Sequence, residues 1–441
     1  MTLQLDETHD VRVGSWVPSA ARTSTDFPLQ NLPFGVFRRP EGGAPRIGIA
    51  IGDRILDLRR SVEVGALPVD PGLMDPLGAA SLNSLLSRGR SGLRAVRGAV
   101  FALLREDSRL PRPPAECLVP ASEADLLLPA EVGDYTDFYA SVHHATNVGT
   151  MLRPDQPLLP NYKWIPIGYH GRASSLLPGG SAVRRPRGQL MREGAAAPVY
   201  APTDALDYEC EVGFVVGRPN PLGDPVPVAQ AEDHLAGLCL VNDWSARDVQ
   251  RWEYQPLGPF LSKSFATTVS PWLVTLDALE PFRVASAARP GSDPRPLPYL
   301  EEGAAADRAG FQIELEVLLR TGLMRSRGEA PFRVSRCSFA HMYWSAAQLV
   351  AHHTSNGCNL RPGDLLASGT VSGPEPDSRG CLLELTWRGR DPLALPSGET
   401  RRFLEDGDEV VIRGSCAREG FARVGFGECR GMVLPAEGDP G

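Results

Sequence analysis

Residues 242–272 contain the densest set of polar side chains that could do chemistry in this 441-residue sequence. A helix here would carry four of them on one face, at positions i, i+4, i+7 and i+11, namely Asp243, Arg247, Gln250 and Tyr254. A helix that packs on a core should instead have apolar residues at these positions. The polar stripe therefore indicates either a solvated face or the wall of a polar site. We favour the site, because three tryptophans lie in the same stretch.

Two charged residues occur in apolar surroundings. Lys263 lies in Leu-Ser-Lys-Ser-Phe, and Glu384 lies in Cys-Leu-Leu-Glu-Leu-Thr-Trp, which reads as a strand from Leu382 to Trp387. Burying an unpaired charge is costly. We therefore expect a specific partner for the Lys263 ammonium, and a histidine or an arginine beside the Glu384 carboxylate.

A third feature is a pair of acids on a predicted strand over residues 207–217. Glu209 and Glu211 would point to the same face, roughly 7 Å apart, since side chains alternate along a strand. Two carboxylates at this spacing repel each other unless water surrounds them or a positive charge lies between them. An edge strand facing solvent is one interpretation. The apolar run that follows favours a buried strand and a bound cation, with Asp137 and Asp243 as further ligands. Oxygen ligands of this kind suit Ca²⁺ or Mg²⁺ better than zinc.

Residues 133–149 and 168–175 are also rich in reactive side chains. The first stretch contains Asp137, Tyr139 and the adjacent pair His143 and His144, and the second contains Tyr169. Each residue taken singly has a structural explanation, such as a turn aspartate or a hydrogen-bonded histidine. Their clustering favours a site. A tight loop over residues 369–376 could present Thr370 to a ligand.

The elements that must position these residues are mainly strands. Gly52-Asp53 lies between two apolar runs, 46–51 and 54–58, and predicts a hairpin. Helices are predicted over 81–104 and 342–356, and further strands over 311–319, 409–412 and 423–426. Prolines 111, 113 and 114 predict a domain boundary, with units 1–118 and 119–441. The profile predicts a β-rich α+β fold rather than a βαβ array.

Composition excludes several classes of function. A net charge of −8 and a pI near 5.6 argue against nucleic acid or an anionic membrane as the main partner. The sequence has no Gly-rich nucleotide loop, and its eight cysteines lack metal-ligand spacing. The start of the chain lacks the pattern of a signal peptide, and no apolar run reaches membrane-spanning length. We therefore expect a cytoplasmic protein.

Long runs of the sequence resemble the fumarylacetoacetate hydrolase family. They include Gly-Asp-Tyr-Thr-Asp-Phe-Tyr, His-Ala-Thr-Asn-Val-Gly, Gly-Tyr-His-Gly-Arg-Ala-Ser-Ser, Asn-Asp-Trp-Ser-Ala-Arg-Asp, Pro-Leu-Gly-Pro-Phe-Leu and Ser-Gly-Pro-Glu-Pro, between about residues 130 and 380. The resemblance implies an N-terminal SH3-like barrel, a C-terminal mixed β-sandwich roll and a homodimer. It also implies hydrolysis of a carbon–carbon bond in a β-diketone, giving fumarate and acetoacetate at the end of tyrosine and phenylalanine degradation.

The resemblance also assigns residue roles. The implied Ca²⁺ ligands are Asp137, Glu209, Glu211 and Asp243, with Lys263 and Thr267 near a Mg²⁺ position. The implied substrate contacts are Tyr139, Arg153, Tyr169, Gln250, Tyr254 and Thr370. The implied base is His144, oriented by Glu384, with Arg247, Gln250 and Lys263 as candidate donors to an oxyanion. His143 stands next to the base and is a second imidazole that could be mistaken for it.

Two rival functions remain open at this point. One is another metal-dependent enzyme of the wider superfamily, such as an acylpyruvate hydrolase or a decarboxylase. The other is a non-catalytic Ca²⁺-binding protein whose acids only brace the fold.

Overall fold

The computed structural model describes residues 5–438. The first four residues lie outside this range. They belong to the segment from which the sequence analysis predicted that no signal peptide is present. The strands are β1 Phe34–Arg38, β2 Arg46–Ile51, β3 Arg54–Asp57, β4 Leu118–Pro120, β5 Asp125–Leu127, β6 Tyr135–Phe138, β7 Gly168–Gly171, β8 Leu176–Pro178, β9 Ala182–Arg184, β10 Arg187–Leu190, β11 Val199–Pro202, β12 Leu206–Asp207, β13 Cys210–Val216, β14 Leu235–Asp243, β15 Ser245–Ala246, β16 Thr267–Val269, β17 Trp272–Thr275, β18 Arg283–Val284, β19 Gly310–Phe311, β20 Glu314–Arg320, β21 Phe332–Ser338, β22 Leu365–Ala367, β23 Leu393–Ala394, β24 Thr400–Arg401, β25 Glu409–Cys416 and β26 Val424–Leu434. The α-helices are α1 Leu58–Glu63, α2 Pro71–Leu77, α3 Asn83–Leu86, α4 Gly89–Leu104, α5 Val142–Leu152, α6 Arg247–Glu253, α7 Gly322–Ser326, α8 Ala346–Thr354 and α9 Leu382–Leu385.

A large mixed sheet runs through the described part of the chain. Its main order is β4-β3-β2-β1-β17-β14-β13-β22-β6-β7, with β5, β8 and β16 attached at the side. The N-terminal strands therefore hydrogen-bond into the same sheet as the later ones, through the antiparallel pair β1–β17. The central strands β13 and β14 are buried on both faces because each is a nearly continuous apolar run.

A second sheet has the order β21-β20-β25-β26-β9. Its strand β20 alternates buried and partly buried residues, as expected for a strand with one face on the core. The main core cluster lies between the two sheets and includes the large buried side chains of Trp244, Trp344, Phe214 and Phe426. The position of this core explains why Trp244, inside the polar stretch, is fully buried.

The predicted hairpin is confirmed, since β2 and β3 pair around Gly52, whose φ of 57° suits a glycine. The predicted strands over 311–319, 409–412 and 423–426 are also present. The helix predicted over 81–104 is two helices, because the chain breaks at residues 87–88 and Gly89 adopts a φ of 65°. The helix predicted over 342–356 begins later, at Ala346, where Ser345 caps its first turn.

The prediction of a strand over 382–387 is wrong, since Leu382–Leu385 forms the short helix α9. The backbone N–H groups of Leu382 and Leu383 donate to the Asp207 carboxylate at 2.8 and 3.0 Å. An acid at this position satisfies the free N–H groups of a helix start. Because Asp207 is distant in sequence, local residue patterns could not reveal it.

The expected mixed α+β, strand-rich composition is confirmed. In the strand order of the described residues, the large sheet ends at β4 on one side and at β7 on the other. None of the helices described is both long enough and apolar enough to cross a bilayer.

Candidate active site

Four carboxylates meet at one point of the large sheet, and they are those of Asp137, Glu209, Glu211 and Asp243. Asp137 belongs to β6, Glu211 to β13 and Asp243 to the end of β14, while Glu209 directly precedes β13. One oxygen from each lies within 4.8 Å of the others. Glu209 is 5% exposed and Glu211 is 0% exposed, so the interpretation of a solvent-facing edge strand is wrong.

The location of Asp243 differs from the sequence prediction. It ends a strand, and the helix that follows begins only at Arg247. Arg247 and Gln250 do share one helical face, since Arg247 Nη1 donates to Gln250 Oε1 at 3.1 Å. The polar wall predicted from the sequence therefore consists of the short helix α6 and the end of β14. The two lie together because β14 is buried along its whole length and fixes Asp243 just before α6.

Two of the acids have cationic partners. The Lys263 ammonium contacts Glu209 and lies 2.8 Å from Asp243 Oδ2, and Arg247 Nη1 lies 2.7 Å from Glu209 Oε1. Asp243 also accepts hydrogen bonds from Tyr169 at 2.7 Å and Thr267 at 2.6 Å. The expectation that Lys263 has a specific partner is therefore confirmed, and its partners are Glu209, just before β13, and Asp243, at the end of β14.

The other two acids are short of partners. Asp137 Oδ1 and both Glu211 carboxylate oxygens are buried and accept no hydrogen bond within the described residues. Burial raises the pKa of Glu211 well above its usual range, and the neighbouring carboxylate of Asp137 raises it further. Burial and the Asp243 carboxylate likewise raise the pKa of Asp137. By contrast, burial alone would raise the pKa of Glu209, but Lys263 and Arg247 lower it to about 2.

These residues fit a hard divalent cation. Buried, unpaired carboxylate oxygens are rare in proteins unless a metal or a proton satisfies them. One carboxylate oxygen from each of the four acids can reach a single ion, and carboxylate oxygens are ligands of both Ca²⁺ and Mg²⁺. A protonated lysine has no lone pair, so the Lys263 ammonium fits a charge partner of the acids and not a ligand.

Metal binding is expected to release protons. An acid whose pKa is raised by folding contributes fully to the stability of the metal-free protein below its unfolded pKa, which is 3.8 for Asp137 and 4.5 for Glu211. This contribution is lost as the pH rises through the pKa of the same acid in the folded protein. The chelated protein should therefore melt at a lower temperature at pH 8 than at pH 5, and added Ca²⁺ or Mg²⁺ should reverse the loss at pH 8. Calorimetric titration in two buffers of different ionisation enthalpy measures the released protons. A titration without proton release would contradict the raised pKa values.

His144 and Glu384 form a buried pair. His144 lies on α5, and its Nδ1 is 2.6 Å from Glu384 Oε2. Burial would raise the pKa of Glu384, but its contacts with His144, Asn147 and Ser372 lower it to about 2, so the carboxylate is ionised. An ionised carboxylate only accepts hydrogen bonds. His144 Nδ1 therefore donates to Glu384, and in the tautomer that carries only this proton Nε2 has a free lone pair.

Sequence reasoning missed the residues that fix Glu384. Asn147 Nδ2 donates to Glu384 Oε1 at 2.8 Å, and the Ser372 hydroxyl donates to Oε2 at 2.8 Å. Asn147 lies three residues after His144, which places both on one face of a helix. That spacing was the available signal, but the contact became evident only once α9 was placed against α5.

Replacing Asn147 with alanine should weaken this arrangement. Because one hydrogen bond to the carboxylate is lost, the pKa of Glu384 should rise and kcat should fall by about tenfold, with KM nearly unchanged. A pH profile of kcat checks this, since its acidic limb should move to higher pH. Thr150→Ala on the exposed side of the same helix is the control and should leave the profile unchanged. An Asn147→Ala profile that overlays that of the wild type would contradict the assignment.

The pair and the acid cluster open into one cavity of about 700 Å³. Its lining includes most of the predicted site residues, namely Asp137, Tyr139, His144, Arg153, Tyr169, Glu209, Arg247, Gln250, Tyr254, Lys263 and Thr370. The remaining predicted residues, Glu211, Asp243, Thr267 and Glu384, are buried and contact the lining residues or their neighbours. His143 is not among the lining residues and packs beside His341, with ring centroids 6.2 Å apart.

Several lining residues have unused donors. Arg247 Nη2 is buried without a partner in the described residues. The Gln250 carbonyl accepts from Arg247, so the amide NH₂ group is left to donate elsewhere. Thr370 Oγ1 and Arg153 Nε are likewise buried and unpartnered among the residues described. The cavity therefore presents donors to a ligand rich in oxygen.

Two further acids, which the sequence analysis missed, fix the position of Arg247 and of the turn before Lys263. Asp207 Oδ2 accepts from Arg247 Nε at 2.9 Å. Glu253, at the end of α6, accepts from the backbone N–H groups of Phe260, Leu261 and Ser262 at 2.8–3.1 Å. Glu253 therefore ties the helix that carries Arg247 to the turn that precedes Lys263.

Comparison with known proteins extends this description. Residues 134–434 match the family described as fumarylacetoacetate (FAA) hydrolase C-terminal, and residues 30–129 match fumarylacetoacetase N-terminal. Fumarylacetoacetase of Bos taurus is 47% identical over 430 residues, which cover 96% of this chain and 99% of that protein. The chain belongs to the fumarylacetoacetase family. The resemblance stated from the sequence is confirmed.

Other members of the fumarylacetoacetase family show similar agreement. Fumarylacetoacetase of Homo sapiens is 47% identical over 433 residues, covering 96% of this chain and 99% of that protein. The protein of Oryza sativa subsp. japonica is 48% identical over 426 residues, covering 93% and 95%. A solved structure described as HpcE from Mycobacterium smegmatis shares the fold, with a TM-score of 0.50 and 21% identity over 91% of this chain and 99% of that chain.

Proposed function

We propose that the chain hydrolyses a carbon–carbon bond of fumarylacetoacetate, giving fumarate and acetoacetate in tyrosine and phenylalanine degradation. The observation that carries the proposal is one cavity lined both by His144, which is paired with Glu384, and by Asp137, whose Oδ1 accepts no hydrogen bond within residues 5–438. The names of the relatives that match nearly the full chain support the substrate. A small β-diketone is therefore the partner we assign to the cavity.

The chain's own residues account for activation of water. Water is a weak nucleophile at neutral pH, and His144 Nε2 can accept its proton when the water attacks a ketone carbon. Glu384 keeps the proton on Nδ1 and stabilises the imidazolium that forms. The hydroxide adds to the ketone carbon, and the carbon–carbon bond next to it then breaks. His144 returns the proton that it took from water to the carbon that leaves.

Donors in the cavity stabilise the negative charge that develops on the carbonyl oxygen. Arg247 Nη2 and the Gln250 NH₂ group have no acceptor in the part of the chain that the structure describes, and both residues line the cavity. Removing one such donor in comparable hydrolases lowers kcat by about 10²–10³-fold. Lys263 adds positive charge beside Glu209, although both of its contacts are with acids.

We infer that Asp137, Glu209, Glu211 and Asp243 hold a divalent cation, with Ca²⁺ as the first choice and Mg²⁺ as the second, and that Thr267 lies at the edge of this site. A cation bound there would supply positive charge to the dione oxygens, which lowers the cost of an enolate leaving group. Seven or eight oxygen ligands at longer distances suit Ca²⁺, whereas Mg²⁺ requires a smaller octahedral set. Four acids, each able to bind through one oxygen or both, can supply such a large set, so we place Ca²⁺ first.

A substrate panel tests the function. Purified protein with Ca²⁺ should remove the absorbance of fumarylacetoacetate, and proton NMR should identify fumarate and acetoacetate in equal amounts. Acylpyruvates should turn over more slowly by kcat/KM. A preference for an acylpyruvate, or release of carbon dioxide, would instead favour another activity of the superfamily. Metal-dependent melting without any turnover would favour the non-catalytic Ca²⁺-binding protein.

The proposal also includes the domain architecture, the oligomeric state and the location of the protein. The division into two units is supported by the separate matches over 30–129 and 134–434. We propose an SH3-like barrel within residues 1–118 and a mixed β-sandwich roll over 119–441. A homodimer is supported by exposed apolar side chains, among them Leu257, which lines the cavity, and Phe260, three residues later. A cytoplasmic location is supported by eight cysteines that are all free.

A further inference from the structure

The turn after α9 is an unusual piece of backbone. Trp387, Arg388 and Gly389 adopt φ values of 47°, 61° and 80°, so three consecutive residues are left-handed. Only the last is a glycine, and a left-handed conformation is strained for the other two because their Cβ atoms crowd the backbone. The turn is held by backbone bonds, among them Arg388 N to Leu383 O at 2.8 Å and Asp391 N to Thr386 O at 2.9 Å. Strain of this kind is often found where a side chain must be presented to a ligand.

The side chain presented here is the Arg388 guanidinium. It lines the cavity, and its Nη1 donates to the Met151 carbonyl at 3.2 Å, near the end of α5. Arg153, two residues after Met151, lines the same cavity. The short helix α9 therefore contributes Glu384 to the buried pair and, through its final turn, a cation to the cavity wall.

Within residues 5–438, neither Arg388 nor Arg153 forms an ion pair with a carboxylate, although the neighbouring Arg390 pairs with Asp391 at 2.6 Å. Arg247 and Lys263 are different, because acids already neutralise them. The cavity thus has unpaired positive charge at the end of α5, separate from the acid cluster.

This distribution of charge restricts how a dicarboxylate can bind. Fumarylacetoacetate has a carboxylate at each end and the dione between them. A terminal carboxylate is repelled by the acid cluster and attracted by unpaired guanidinium groups, which can bind it with two parallel hydrogen bonds. Arg388 and Arg153 are the cavity residues that offer such groups near α5.

We propose that Arg388 is a substrate-binding residue that, beside Arg153, binds the terminal carboxylate of the fumaryl half and makes the enzyme selective for dicarboxylic diketones. The inference rests on the proposed function and adds to it a determinant of specificity. The backbone strain keeps Arg388 at the cavity wall, and the bond to Met151 leaves its remaining donors for the ligand.

The test compares two substrates with one variant. Arg388→Asn removes the charge, and asparagine tolerates the left-handed backbone, so the turn is expected to be retained. The substrates are fumarylacetoacetate and 3,5-dioxohexanoate, which keeps the dione and one carboxylate but lacks the fumaryl carboxylate. The variant should lower kcat/KM about 10- to 100-fold for fumarylacetoacetate, mainly through KM, and by less than about threefold for 3,5-dioxohexanoate.

Two more variants complete the design. Arg388→Lys keeps the charge without the planar fork and should recover part of the loss. Arg390→Asn is the matched control, since Arg390 is exposed, lies outside the cavity and pairs with Asp391; it should leave both substrates unchanged. Circular dichroism melting shows whether each variant folds. If Arg388→Asn does not fold, the same comparison of the two substrates is made with Arg388→Lys.

The outcomes are distinct. A loss confined to fumarylacetoacetate supports the inference. An equal loss on both substrates, or no loss on either, overturns it while the proposed function stands. A wild-type protein that does not hydrolyse fumarylacetoacetate overturns the proposed function itself.

Discussion

Replacing His144 with glutamine is expected to lower kcat on fumarylacetoacetate by about 10²–10⁴-fold, the range found when a general base is removed. Glutamine can still donate an N–H group to Glu384, so the buried carboxylate is not left unpaired. Alanine would be less informative, because an unpaired buried charge destabilises the fold by about 3–5 kcal/mol. KM should change little, since other residues provide the contacts that bind the substrate.

The neighbouring histidine provides the control for this experiment. His143 is half-buried, packs beside His341 and does not line the cavity. His143→Gln should therefore retain nearly all of the wild-type kcat. If His143→Gln were the inactive variant, or if His144→Gln kept wild-type turnover, the assignment of the base would be wrong.

Replacing Glu211 with glutamine should have opposite effects on the metal-free and the metal-bound protein. Without metal, Glu211 is a fully buried acid without a hydrogen-bond partner in the described residues, and its pKa is raised by burial and by Asp137. Glutamine cannot ionise, so the variant avoids the cost of keeping Glu211 protonated or of burying its charge, and the chelated variant should melt at a higher temperature than the chelated wild type. With metal, an anionic ligand is lost, and affinity should fall by at least about 10- to 100-fold.

Melting curves with chelator and with millimolar Ca²⁺ measure both effects. The wild type should gain about 2.7 kcal/mol of stability when the free metal is a hundred times Kd, and the variant should gain far less. Glu419→Gln, at an exposed position, should melt like the wild type in both conditions. An unchanged metal response in Glu211→Gln would show that the cation, if bound, lies elsewhere.

Short sequence patterns identified the charged residues of the site but not their arrangement. Strand alternation predicted that Glu209 and Glu211 belong together, and the apolar surroundings of Glu384 predicted a basic partner, which is His144. The residues themselves also indicated Asp137 and Asp243 as further ligands, and the resemblance to the family added Lys263 and Thr267. The single helical face was only partly right, because Asp243 ends a strand that the core holds in place.

The remaining contacts depend on tertiary packing. The backbone N–H group of Leu382, at the start of α9, donates to the carboxylate of Asp207, which is distant in sequence. For the same reason, the contacts of Asn147 and Ser372 with Glu384 require three separate segments to meet. A pattern that extends over a few residues contains no information about such contacts.

We expect the acid cluster to hold a divalent cation that the hydrolysis requires. Turnover of fumarylacetoacetate should be followed in one sample before chelation, after chelator has been added and removed, and after Ca²⁺ or Mg²⁺ has been returned, with bound metal measured at each stage. We expect about one ion per chain at full activity, loss of turnover with loss of that ion, and recovery with its return. Full turnover by protein shown to contain no divalent metal would contradict the account.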